Sequence, residues 1–138
     1  MINKIKEGLR LDHKIIGEMI VSKSKVLDLG CGDGDLLEYL VRVKDVHGSG
    51  VEIDEKAIYS CVEKDLSVSQ GDIDSGLEEY PDKMFDYVIF NQTMEQVHNP
   101  EKAIEDALRI ADKVIVGFPN FCYFDARIQL FFGGHVPV

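Results

Sequence analysis

The stretch 26-VLDLGCGDGDLLEYL-40 decides the fold. An apolar, β-branched run ends in alternating glycines at Gly30, Gly32 and Gly34, and an amphipathic run follows. This is the pattern of a strand that turns tightly into a helix, where backbone N–H groups and the positive helix end face outward. Glycines there let a ligand approach the backbone closely. The plainer alternative is a tight turn that uses glycine only for positive φ, and an isolated GxG does not separate the two. A dinucleotide fingerprint, GxGxxG, needs its third glycine five residues after the first, whereas these glycines are spaced by two and two. A NAD-binding domain therefore ranks below the other readings.

Working outward, KVLDLG (25–30), GSGVEI (48–53), FDYVIFN (85–91) and KVIVGF (113–118) are short apolar runs without one-sided alternation, so they predict strands buried on both faces. A weaker strand is predicted around Leu66 to Ser69. Between them DLLEYLVRV (35–43), EKAIYSCVEKD (55–65) and PEKAIEDALRIA (100–111) carry helical periodicity. Asn99 reads as N-cap of the last, with Pro100 in its first turn. Residues 11–21 place Leu11, Ile15, Ile16, Met19 and Ile20 on one face of an opening helix. Strands alternating with helices predict a doubly wound, mostly parallel α/β sheet of Rossmann-like type, with ligands beyond the C-terminal ends of the strands.

A chain of 138 residues predicts one domain. Its net charge of −10 repels phosphate backbones and anionic lipid, which argues against nucleic-acid and membrane partners. Cys31, Cys61 and Cys122 share no spacing that suggests disulfides or zinc, so no metal is expected. The charged N-terminus lacks a signal-peptide core, and the expected location is cytoplasmic.

Three acids mark the candidate site. Asp28 lies inside an otherwise apolar strand, where a carboxylate needs a cationic or hydrogen-bonding partner; a cationic ligand would serve. Glu52, in 50-GVEID-54, sits where an acid accepts hydrogen bonds from the vicinal hydroxyls of a ribose, its alternative being a solvated strand end. Asp54 reads instead as an N-cap. Asp72, in 70-QGDID-74, is placed to accept an adenine amine while the Ile73 amide meets a ring nitrogen; alone it would be a turn aspartate. Together with the glycines, these acids suit S-adenosylmethionine, whose amino group, ribose and adenine each meet an acceptor.

VLDLGCGDG, GVEID and GDID resemble, in order, the first three motifs of the class I S-adenosylmethionine-dependent methyltransferases. More narrowly, LDLGCGDGDLLEYL, GVEID, FDYVIFNQTMEQV and 117-GFPNFCYFDARIQLFFGGHVPV-138 resemble the methionine biosynthesis protein MetW family over nearly the whole chain. The resemblance implies the class I methyltransferase fold and S-adenosylmethionine or S-adenosylhomocysteine as ligand. The expected contacts are Asp28, Gly30, Cys31, Gly32, Gly34, Glu52, Ile53, Asp72, Ile73 and Asn91. It also implies a role supporting homoserine O-acyltransferase in methionine biosynthesis. The alternative is a genuine small-molecule methyltransferase acting on an unidentified acceptor.

Two departures from the family pattern follow. Class I methyltransferases usually continue past the fifth strand into an antiparallel hairpin, and the few residues left before Val138 predict that it is absent and the chain a C-terminally truncated fragment. Phe121, Phe124, Ile128 and Phe131 are then spaced for one helical face, read first as core. After the fourth strand, 91-NQTM-94 lacks the Asn-Pro-Pro-aromatic loop of amide and base methylating relatives. Glu95 and His98 are the weak candidates for a general base. Gly117, Phe118, Pro119 and Asn120 would wall an acceptor pocket.

Overall fold

The computed structural model describes residues 2–118 and 127–133. Two helices open the chain, α1 (Ile2–Glu7) and α2 (Leu11–Met19). Strands and helices then alternate through β1 (Lys25–Leu29), α3 (Asp35–Arg42), β2 (His47–Glu52), α4 (Glu55–Glu63), β3 (Val68–Gln70), α5 (Ile73–Gly76), β4 (Phe85–Asn91), α6 (Pro100–Ile110) and β5 (Ala111–Phe118). A last strand, β6, spans Arg127–Phe132. The sheet order is β3-β2-β1-β4-β5-β6. Strands β1 to β5 are parallel and β6 is antiparallel to β5. The chain winds from β1 outward to β3 and returns to β4 on the other side of β1, so the strand order reverses beside β1.

The apolar runs form central strands because both faces of the sheet are covered. Leu27, Leu29, Val88, Phe90, Val114 and Val116 pack on one face with Ala103, Ala107 and Ile110 of α6. Their alternating neighbours Val26, Tyr87, Ile89 and Ile115 pack on the other with Ile16 of α2 and Leu36 and Leu40 of α3. Burying each such aliphatic side chain contributes roughly 2 kcal/mol. The caps expected from the sequence are present: Asp54 accepts from the Ala57 amide at 3.1 Å and Asn99 from the Lys102 amide at 3.2 Å. Among the described residues no helix is long and apolar enough to cross a membrane.

The C-terminal expectation is corrected. An antiparallel strand does follow β5: β6 pairs along it from Phe118 opposite Arg127 to Lys113 opposite Phe132. Eight residues separate the two strands, which suits an antiparallel return that needs no crossover helix. The helical stripe fails for the same reason, since residues three apart lie on opposite faces of a strand. Ile128 joins Leu130 against the α2 and α3 side, while Phe131 is buried in the core on the α6 side. Phe121 and Phe124 lie outside the described residues.

Candidate functional site

Gly30, Gly32 and Gly34 all adopt left-handed φ, at 73°, 57° and 90°. The turn is tied to β2, because the Gly30 and Cys31 amides donate to the Val51 carbonyl at 2.8 and 3.2 Å. A Cβ at Gly30 would collide with Cγ2 of Thr93, a buried residue after β4. A Cβ at Gly32 would meet nothing within 4 Å, so this position lies open to an approaching group. Asp33 and Asp35 have structural partners: Asp33 accepts from the Asp35 amide at 3.2 Å, and Asp35 pairs with Lys64 at 2.8 Å.

Glu52 is fixed by three amides. Its Oε1 accepts from Gly32 at 2.9 Å, and its Oε2 accepts from Ile53 and Asp54, both at 2.9 Å. A carboxylate has about four lone-pair directions, so roughly one remains, and a ribose diol would have to share an oxygen with the Gly32 amide or displace it. Asp28 lies deeper, at 2% exposure. Burial raises its carboxyl from 3.8 to about 7, and the charge of Glu52 adds to the rise. Such a group is short of a cation.

The third side of the site comes from α2 and was not anticipated. Asp12, only 6% exposed, accepts from Arg10 at 2.8 Å and from Asn91 and Gln92 at 3.0 Å each. Burial alone would raise its carboxyl, but the Asn91 bond, with His13 and Arg10 beside it, brings it below the ordinary value. His13 is also buried, and burial lowers its imidazole against the pull of Asp12. Burial thus favours its neutral form. A signal existed: Asp12, Ile16 and Ile20 recur at helical spacing, so the carboxylate sits on the buried face of an amphipathic helix. Gln92 itself has a left-handed φ of 61°, a strained conformation for a non-glycine residue that collects at ligand sites.

These elements enclose a cavity of about 370 Å³ beyond the ends of β1, β2 and β4. Of the expected contacts, Asp28, Gly30, Cys31, Gly32, Glu52 and Asn91 line it. Gly34, Ile53, Asp72 and Ile73 do not. Gly34 instead caps α3, and Asp72 caps α5, accepting from the Asp74 amide at 3.0 Å. Ile53 is 63% exposed. Glu95 and His98 are exposed and outside the lining, which includes Gln96 instead; the His98 amide donates to Asp74 at 3.0 Å. Gly117 and Phe118 do not line the cavity either, and Pro119 and Asn120 lie outside the described residues. Registers order the acids laterally: Asp28 is level with Gly50 and Ile89, so Glu52 and Asn91 each stand two residues further out on the flanking strands.

Comparison with known proteins agrees with this architecture. The family model described as methionine biosynthesis protein MetW matches residues 10–138. The bifunctional methionine biosynthesis protein MetXA/MetW of Rhodopirellula baltica is 33% identical over 140 residues, covering 94% of this chain. The chain spans 22% of that relative's length. Among solved structures, a TehB-like SAM-dependent methyltransferase from Corynebacterium glutamicum superposes with a TM-score of 0.68 at 21% identity, covering 88% of this chain and 73% of the other. A SAM dependent methyltransferase from Archaeoglobus fulgidus gives 0.61 at 26% identity, over 79% and 54%.

Proposed function

The chain belongs to the methionine biosynthesis protein MetW family, and on that premise we propose that it binds S-adenosylmethionine or S-adenosylhomocysteine and supports a homoserine O-acyltransferase through protein contact. One observation carries the nucleotide reading: a carboxylate at the tip of β2 and a buried carboxylate in β1 flank a glycine turn whose central residue is open. Glu52 takes the ribose hydroxyls and Asp28 the cationic end of the ligand. The SAM-dependent methyltransferases of the same fold lend further support. The bound group would bring an electrophilic sulfonium; the protein's part is to hold and orient it. A cytoplasmic setting suits a biosynthetic role of this kind.

Glu52→Ala is expected to weaken S-adenosylhomocysteine binding by about 2 kcal/mol, the loss of a charge-assisted contact. Calorimetric titration of both proteins checks this, and equal affinities would remove Glu52 from the site. The partner reading draws on the relative in which MetXA and MetW occur in one bifunctional protein. Co-purification of the chain with the homoserine O-acyltransferase of the same organism is expected. A clean failure of the two purified proteins to associate in gel filtration would overturn it.

A further inference from the structure

We propose that β6 is the pairing edge of a homodimer, in which a second copy of this chain adds its own β6 antiparallel and the two sheets become one. Among the described residues the sheet has two edges, β3 and β6. They differ in how they are protected. β3 is three residues long, VSQ, and its Ser69 and Gln70 are exposed and polar, a short edge that offers little to a further strand. β6 is six residues long, RIQLFF, with no proline, acid or lysine. It pairs with β5 in unbroken register from Arg127 to Phe132, so no bulge twists it out of reach. The N–H and C=O groups that point away from β5 form a row that another strand, roughly 4.8 Å away, would satisfy.

Charge and side-chain pattern both favour a second copy as the occupant. The chain carries 25 Asp and Glu against 15 Lys and Arg, so most approaches of two copies bring carboxylates together. β6 holds no acid, and its one charge, Arg127, stands at its start. A two-fold axis perpendicular to the sheet makes the two strands antiparallel and keeps each face continuous, so directly opposed residues share a face. With Leu130 on that axis it meets its own copy, and Ile128 lies opposite Phe132 on either side. Ile128 and Leu130 are partly buried against the α2 and α3 core, and strand alternation puts Phe132 on their face, where it stands 49% exposed. Pairing in this register gives that exposed ring an apolar neighbour, the Ile128 of the second copy.

Six residues a side make a small interface, in the range of weak, reversible association, and a dissociation constant on the order of 10 μM is expected. Sedimentation velocity from about 1 to about 200 μM is expected to show the monomer giving way to the dimer. Gln129 is exposed on the opposite face, and its two copies are diagonal neighbours across the axis. Gln129→Lys and Gln129→Glu are each expected to weaken the dimer about tenfold through like-charge repulsion, and an equimolar mixture of the two variants to restore it. Rescue by mixing follows only if β6 meets its own copy. A wild type that stays monomeric across the range overturns the proposal. So does a dimer that neither variant weakens, or one that both weaken without rescue by mixing. The side chain of Gln129 is exposed, so both variants are expected to fold, which circular dichroism verifies.

Discussion

Replacing Asp28 by Asn is expected to stabilise the ligand-free protein near pH 8 by an amount on the order of 4 kcal/mol, and to change little near pH 3. Burial, with a further contribution from Glu52, raises the carboxyl from 3.8 to about 7, so the folded state holds the proton more tightly than the unfolded chain. Below 3.8 both states are protonated and the group costs nothing. As pH rises toward about 7 the unfolded chain loses its proton first, and stability falls; above that both are ionised and the full cost is present. Each tenfold difference in proton affinity is worth about 1.4 kcal/mol, which sets the size. Urea unfolding of both proteins at the two pH values measures it. A gap that is the same at both would show that Asp28 is not the titrating group.

The same carboxylate should serve the ligand in the opposite sense. A sulfonium or ammonium favours ionised Asp28, so S-adenosylmethionine affinity is expected to rise with pH through about 7 in the wild type and to be weaker and flatter in Asp28→Asn. Stability gained and binding lost at one position is what a site acid kept for its ligand predicts.

Gly30→Ala is expected to destabilise the fold by about 3 kcal/mol, combining a left-handed backbone unfavourable to a Cβ with overpacking of a closed space. At φ 73° the new methyl would be driven into Thr93, whose hydroxyl donates to the Leu29 carbonyl at 3.4 Å and cannot swing away without breaking that bond. Thr93→Ser removes the colliding methyl, so the double variant should recover about half of the loss. Gly32→Ala is the contrast. Its φ of 57° carries a similar backbone cost with no collision, but its methyl stands in the open space above the turn. It should lower stability by only about 1 kcal/mol while impairing ligand binding. Chemical denaturation of the four variants separates these effects, and a Gly30→Ala protein as stable as wild type would contradict the packing at Thr93.

The strand and helix segments were legible because each run satisfies local and tertiary demands at once. In β1, Lys25–Leu29, every residue after the first is buried, and such a strand is apolar at both of its faces rather than alternating, Asp28 being the one exception. The caps at Asp54 and Asn99 are local hydrogen bonds, set by residues three apart in sequence. The last strand was not legible. RIQLFF contains apolar residues at both strand and helix spacing, and what makes it a strand is the exposed edge of β5 along which it pairs.

The site divides along the same line. The sequence by itself determined the strand–turn–helix at VLDLGCGDG and the acids at the ends of β1 and β2, because a glycine turn and a buried carboxylate announce themselves within a few residues. Only the tertiary structure decided that Asp33 and Asp35 are held by the fold rather than by a ligand, that Glu52 is clasped by three amides, and that Asp12 brings Arg10 to the far side of the cavity. Asp12 and Asn91 are 79 residues apart, and no local propensity encodes a bond between them. It exists because α2 packs across the sheet and the switch beside β1 brings the end of β4 to meet it.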